Sequence, residues 1–206
     1  ISAARITCRP ASHAAGTVLV QVFNPDGQSA SFLGYTYCPP PVVTSVAPNH
    51  GPIGGLTSVT VTGNNFDPLT TVLFGESSAL AVVVLDQSVL TCLTPPHAPG
   101  YVEVTVTDMY GQSGSLPDAY FYDPPPDVIA VSPPRGPIEG GAQVTISGAA
   151  FVDGASVTFG GTAATNVTYV DSEQLTCVTP AHAAGAVNVV VTNPDGQSGT
   201  LVNGYT

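Results

Sequence analysis

Three segments of the sequence each place a cysteine five residues before a histidine. They read ITCRPASHAAG, LTCLTPPHAPG and LTCVTPAHAAG, and they contain Cys8 with His13, Cys92 with His97, and Cys177 with His182. A thiol beside an imidazole base is the arrangement of a cysteine nucleophile, and imidazoles are also common metal ligands. The two chemistries to test are therefore nucleophilic catalysis and a metal site made of the three histidines.

The spacing between these segments argues against both chemistries. Successive copies lie about 85 residues apart, and self-similarity at a fixed period indicates an array of one repeated unit. Histidines in separate domains lie tens of Å apart, whereas a metal holds its ligands at about 2 Å. A catalytic group repeated in every unit of an array is also unusual. We therefore interpret the three histidines as loop residues, and predict no enzymatic activity, no metal and no cofactor.

A second motif also occurs three times, as FNPDGQSA at 23–30, TDMYGQSG at 107–114 and TNPDGQSG at 192–199. Its Asn and Asp oxygens suggest a calcium loop, but they are few, and the second copy replaces NPDG with DMYG. Pro194 and Asp195 suit the centre of a type I turn, and Gly196 can adopt the positive φ that closes a hairpin. We therefore predict a hairpin turn.

Two glycine-rich segments, GPIGG at 51–55 and GPIEGG at 136–141, have the composition of a phosphate-binding loop. A phosphate loop of this type ends in a lysine at the start of a helix. The chain has no lysine, and no helix is predicted to begin after either segment. We interpret both segments as kinks at which a strand passes from one sheet to the other.

The repeat period divides the chain into one half unit and two complete units. The segments at 43–66 and 128–151 are similar to each other and have no counterpart in the first unit. We therefore predict domains at 1–38, 39–123 and 124–206, the first being the C-terminal half of a repeat. This half is expected to supply the last three strands of a sandwich.

Within a unit, apolar residues alternate with polar ones. In YVEVTVTD, for example, Val102, Val104 and Val106 share one face, as in a half-buried antiparallel strand. The chain contains 22 Gly and 20 Pro, which disfavour helices, and no long segment shows an apolar period of 3.6. Units of about 85 residues with several short strands indicate an all-β fold of tandem immunoglobulin-like sandwiches.

Several ordered motifs then identify a family. The pattern P-x-x-G-P-x-x-G-G, followed by VTVTGNNF or VTISGAAF, VTFGGTAAT, LTCVTPAH and VTNPDGQSG, resembles the IPT/TIG repeat across essentially the whole chain. This resemblance implies an immunoglobulin-like domain of the kind found in plexins, in Rel-type transcription factors and in tandem arrays on secreted and surface proteins. The fold hosts unrelated functions, so the resemblance alone assigns none. The DNA-binding members act through basic loops, which this chain lacks.

The charge balance excludes nucleic acid as a partner. Three arginines and no lysine oppose 14 acidic residues, which gives a net charge of −11, and nucleic-acid affinity depends on cations. No apolar run approaches the ~20 residues of a membrane span. An acidic chain with few cations fits an extracellular or cell-surface location.

Cysteine usage does not follow the extracellular pattern of the family. The resemblance implies a second cysteine on a neighbouring strand, but FGESSALAVVV and FGGTAATNVTY contain none. We therefore predict no disulfide within the complete units and interpret Cys92 and Cys177 as small buried hydrophobes. Cys8 and Cys38 are expected at opposite ends of the first unit, too far apart to pair with each other. Pairing of either one outside this segment is left open.

The units are joined by CPPPVV and DPPPDV, whose three prolines favour extended, semi-rigid spacers and hence a rod-like array. Exposed prolines of this kind are candidates for hydroxylation and O-glycosylation, and Asn166-Val167-Thr168 is an N-glycosylation sequon. The candidate modification sites are Asn166 and the linker residues Pro39, Pro40, Pro41, Pro124, Pro125 and Pro126.

Together these patterns predict a non-enzymatic structural or adhesive segment of a surface appendage or fibre. The alternative is a ligand-binding module, either carbohydrate-binding or part of a receptor ectodomain. Leu19 and Phe23 lie on the outward face of a strand whose inward face carries Val18, Val20 and Val22, so we predict that they form a lateral contact. The expected partners are other copies of the chain or neighbouring repeats, and glycans.

Overall fold

The computed structural model describes residues 5–206, and within that range the chain forms β-strands and no helix. This confirms the all-β prediction. The strands form one two-stranded hairpin followed by two sandwiches of similar design.

The first unit is an antiparallel hairpin of β1 (Gly16–Phe23) and β2 (Ser29–Tyr37). The prediction of three strands was wrong, because residues 5–15, which include Cys8, form no strand. The corresponding strand of the second unit lies between two neighbours and hydrogen-bonds to both. Neither neighbour has a counterpart in the described part of the first unit, so the ITC segment has no partner with which to form a ladder.

The second unit is a sandwich of two sheets. Its strands are β3 (Val42–Ala47), β4 (His50–Pro52), β5 (Ser58–Asn64), β6 (Thr71–Phe74), β7 (Ser77–Ser78), β8 (Leu80–Val84), β9 (Val89–Leu93), β10 (Gly100–Thr107) and β11 (Ser113–Asp123). One sheet has the order β4-β11-β10-β6-β7 and the other β3-β5-β9-β8.

The third unit has the strands β12 (Asp127–Ser132), β13 (Gln143–Ala149), β14 (Ser156–Phe159), β15 (Thr162–Ala163), β16 (Thr165–Asp171), β17 (Gln174–Val178), β18 (Val187–Thr192) and β19 (Ser198–Tyr205). It repeats the plan of the second unit without a counterpart of β4, with sheet orders β12-β13-β17-β16 and β15-β14-β18-β19. Each of the two sandwiches has its own hydrophobic core.

The alternating valines fill these cores as predicted. In the second unit Val102, Val104 and Val106 are buried, and in the third Val189 and Val191 are buried in the same way. Burial of each such side chain contributes about 1.5–3 kcal/mol relative to exposure. The two-residue period of the sequence therefore accounts for most of the packing between sheets.

Two local predictions are also confirmed. In the recurring hairpin Asn193 N donates to Gln197 O at 2.9 Å, and Gly196 N donates to Asn193 O at 3.0 Å. Gly196 has φ 87°, the left-handed conformation that closes the turn. The glycine-rich segment at 51–55 follows β3 and contributes to β4, which lies in the opposite sheet, so it is the predicted strand switch. The segment at 136–141 forms no strand, so the prediction is not confirmed there.

Candidate functional site

The recurring cysteines of the two sandwiches belong to the cores. Cys92 is 2% exposed and Cys177 is 1% exposed, which confirms their interpretation as small buried hydrophobes. Burial raises the pKa of Cys92 to about 12 and that of Cys177 to about 11. Because only the thiolate is a nucleophile, neither side chain is reactive at neutral pH. Cys8 and Cys38 are exposed free thiols.

The recurring histidines are loop residues, as predicted, and those of the first two units also pack against a tyrosine of the last strand. The ring of His97 stacks on Tyr122, with centroids 5.0 Å apart and planes 25° apart. His97 Nδ1 donates to the Ala98 carbonyl at 2.8 Å, which fixes the ring orientation. The Tyr122 hydroxyl donates to the Pro95 carbonyl at 2.8 Å. The loop after β9 is thereby held against the end of β11.

The first unit repeats this arrangement. His13 stacks on Tyr37 with centroids 5.1 Å apart and planes 27° apart, and the Tyr37 hydroxyl donates to the Ala11 carbonyl at 2.7 Å. His13 Nδ1 donates to the Ala14 carbonyl at 2.8 Å. Sequence reasoning missed these pairs, although a tyrosine follows the histidine by about 25 residues in both units. The recurring imidazoles therefore stabilise loops.

A cleft beside His182 in the third unit is lined by Phe159, Pro180 and Tyr205. Tyr205 packs on Phe159 with ring centroids 5.1 Å apart, as Tyr120 packs on Phe74 at 5.3 Å in the second unit. Pro180 and His182 hold the sequence positions of Pro95 and His97, which contact Tyr122 in the second unit. The cleft is therefore lined by residues of the repeat's own packing.

The predicted glycosylation site is accessible. Asn166 is exposed on β16, the edge strand of its sheet, and Thr168 of the same sequon is also exposed. A strand edge leaves room for a bulky glycan, so Asn166 stays a candidate.

The linker prolines differ in exposure. Pro39, Pro40 and Pro125 are exposed, and Pro124 is half-buried. The last proline of each linker, Pro41 or Pro126, is buried. A prolyl hydroxylase needs access to the ring, so modification stays a prediction for the exposed prolines, and the buried pair is unsuitable in this conformation.

The predicted lateral contact lies on an exposed face of the first hairpin. Leu19 is 52% exposed and Phe23 is 67% exposed. Leu33 pairs with Leu19 across the hairpin and is 66% exposed, which adds an apolar group that sequence reasoning missed. The opposite face is also accessible, with Val20 at 39% and Val22 at 40%.

A row of exposed and half-buried side chains crosses the outer face of the second unit. Tyr101 of β10 pairs with Phe121 of β11, which pairs with His50 of β4. The Tyr101 and Phe121 rings are 4.7 Å apart, and His50 Nδ1 lies 2.8 Å from Asp123 Oδ2. Two aromatic rings beside polar groups can stack on a sugar ring and hydrogen-bond to its hydroxyls. We call these four residues the aromatic row.

Among residues 5–206 no cluster of three or more side chains has the geometry to hold a metal ion. No helix in the same range is long and apolar enough to cross a membrane.

Comparison with known proteins adds a family match. The IPT/TIG domain model matches residues 41–122 and 126–206. The chain is similar to human fibrocystin-L, with 29% identity over 188 residues, which cover 86% of this chain and 4% of that protein. It is also similar to human plexin-B1, with 29% identity over 126 residues, which cover 58% of this chain and 6% of that protein. The chain therefore corresponds to a small part of each of these relatives.

Solved structures show weaker likeness. The full extracellular region of plexin A4 has a TM-score of 0.45 and 21% identity, and the match covers 77% of this chain and 17% of that one. SGBP-B from a complex xyloglucan utilization locus in Bacteroides uniformis has a TM-score of 0.38 and 22% identity, over 81% of this chain and 49% of that one.

Proposed function

The chain belongs to the IPT/TIG domain family, and from that premise we propose that it is a non-enzymatic extracellular segment of a repeat array with a structural or adhesive role. The observation that carries this proposal is that the recurring cysteine and histidine side chains have structural roles. The thiols of Cys92 and Cys177 are buried in the cores, and the imidazoles of His13 and His97 are stacked on tyrosines. The side chains best suited to catalysis thus stabilise each repeat.

The proposed location is extracellular or at the cell surface, as it is for the extracellular region of plexin A4. In such a setting the exposed Asn166 carries an N-linked glycan, and the exposed linker prolines are the candidates for hydroxylation. The partners are neighbouring repeats and other copies of the chain.

Assembly into a fibre or appendage is the finer part of the proposal, and it depends on the apolar face of the first hairpin. Leu19 and Phe23, together with Leu33 across the hairpin, form an exposed patch suited to a lateral contact. Substituting both Leu19→Asp and Phe23→Asp is expected to disperse assemblies into single chains, because a charge buried in an apolar contact is strongly unfavourable. Sedimentation velocity and electron microscopy measure this directly.

Gln21→Asn is the matched control, because Gln21 lies between the two apolar residues on the same face of β1 and this substitution adds no charge to the contact. This control should change assembly little. Assemblies of unchanged size in the double variant, or equal dispersal by the control, contradict the proposed contact. Circular dichroism establishes that each variant keeps its strand content.

A second candidate function, carbohydrate binding, is favoured by the aromatic row. Tyr101 is 68% exposed beside Phe121, and His50 with Asp123 supplies polar groups at one end. The first unit lacks this pair, since Thr17 and Thr36 occupy the corresponding positions there. Titration with glucan oligosaccharides tests this function. Binding that is lost in Tyr101→Ala supports it, and no heat of binding for any oligosaccharide rejects it.

A further inference from the structure

The glutamine of the recurring hairpin reaches the end of the preceding unit. Gln112 Nε2 donates to the Cys38 carbonyl at 3.3 Å, and Gln197 Nε2 donates to the Asp123 carbonyl at 3.0 Å. Cys38 and Asp123 each stand directly before the three prolines of a linker. The same side chain therefore makes the same contact at both junctions between units.

A carboxylate orients each of these amides. Gln112 Nε2 also donates to Asp108 Oδ2 at 2.9 Å, and Gln197 Nε2 donates to Asp195 Oδ2 at 2.8 Å. The two acids come from different positions of the turn, because the second unit has DMYG where the third has NPDG. The turn sequence changes, whereas the glutamine and its oriented amide remain.

At the second junction the same side chain also contacts the body of the preceding unit. Gln197 Oε1 accepts a hydrogen bond from the Ile53 backbone N–H at 3.4 Å. The amide of Gln197 therefore donates to one backbone group of the second unit and accepts from another. Two contacts in different directions restrict rotation of the third unit more than a single contact does.

A glycine of the same hairpin receives the linker itself. A Cβ at Gly114 would collide with the Pro41 carbonyl oxygen, and a Cβ at Gly199 would collide with that of Pro126. The first unit has Ala30 at this position. The hairpin thus contacts both ends of a linker, because its glutamine binds the residue before the three prolines and its glycine packs against the last proline.

We propose that the Gly-Gln-Ser-Gly hairpin is an inter-repeat docking surface. Its partner is the C-terminal end of the last strand of the preceding IPT/TIG repeat, together with the triple-proline linker that follows. The docking surface gives both junctions the same geometry, and the first hairpin, which has Ala30, cannot receive a linker in this way. The inference rests on the proposed function for its role in an array, but it concerns geometry within one chain and is tested separately.

The test measures the distance between the second and third units with two spin labels. Labels are attached at Ser78→Cys and Ser172→Cys, both exposed, after the accessible thiols are removed by Cys8→Ser and Cys38→Ser. In the otherwise unchanged protein the distance distribution should be narrow. In Gln197→Ala it should broaden by about twofold, because weakly connected domains move relative to one another by default.

Gln28→Ala is the matched control, because Gln28 occupies the same position in the first hairpin and makes no side-chain hydrogen bond to a linker among the described residues. This control should leave the distribution unchanged. Gln197→Asn keeps the amide but shortens its reach, so it should broaden the distribution even if Gln197→Ala fails to fold. An unchanged width in Gln197→Asn, or equal broadening in Gln28→Ala, overturns the proposal. Sedimentation of the same variants reports assembly separately, so failure of the proposed fibre contact remains distinguishable.

Discussion

Substituting Tyr122→Ala is expected to lower the free energy of unfolding of the second repeat by about 3–5 kcal/mol, the usual cost of removing a fully buried aromatic ring. The Tyr122 side chain is 0% exposed, and its ring packs on His97 and on Tyr120. Its loss leaves a cavity at the end of β11 and releases the loop after β9. Urea unfolding followed by circular dichroism gives the free energy.

Tyr122→Phe is the conservative control. It keeps the ring and removes only the hydroxyl that donates to the Pro95 carbonyl at 2.8 Å, a change expected to cost about 1–3 kcal/mol because the carbonyl loses its partner. A double-mutant cycle with His97→Ala isolates the stacking contribution. A loss below about 1 kcal/mol in Tyr122→Ala contradicts the assigned role, because removal of a buried ring costs more than that.

Substituting Gly199→Ala is expected to destabilise the third repeat by about 1–3 kcal/mol, the cost of inserting a methyl group into a filled site. The added Cβ collides with the Pro126 carbonyl oxygen. Gly199 does not have a positive φ, so the effect comes from the collision and not from backbone strain. Because the carbonyl belongs to the linker, the substitution should also displace the linker from the hairpin. Urea unfolding and the spin-label distance measure the two effects.

Ser198→Ala is the control for this prediction, since Ser198 is the exposed neighbour of Gly199 on β19. It should change the free energy of unfolding by less than about 0.5 kcal/mol, as is usual at the surface. Ala30→Gly should likewise have little effect, because Ala30 belongs to the hairpin in which no described linker is bound. If Gly199→Ala is as mild as Ser198→Ala, the linker is not held against this glycine.

The two-residue period and the turn glycines made most of the fold predictable. Val102, Val104 and Val106 are on the face that their alternation indicated, and Gly196 has the positive φ that its turn requires. These features depend on neighbours in sequence. The number of strands in the first unit depends instead on distant parts of the chain, and it was not predictable from neighbours in sequence. The ITC segment can pair only with strands that the described part of this unit lacks.

The contacts that join distant parts of the chain were not predictable in the same way. The stacking of His97 on Tyr122 requires a contact between a loop and the last strand. The residues adjacent to either one in the sequence do not predict that contact. The contact of Gln197 with Asp123 joins residues 74 positions apart. The repetition of Gln112 and Gln197 was visible in the sequence, but only the structure shows that the amide faces the preceding repeat.

Small-angle X-ray scattering of the 206-residue chain tests most directly whether the repeats form an extended array with fixed junctions. A compact globule of this length has a radius of gyration of about 17 Å. Because docked linkers hold successive units apart, the radius of gyration should lie well above that value, with the distance distribution of an elongated particle. A radius near about 17 Å with a symmetric distance distribution contradicts the account, because it means that the units fold back on one another.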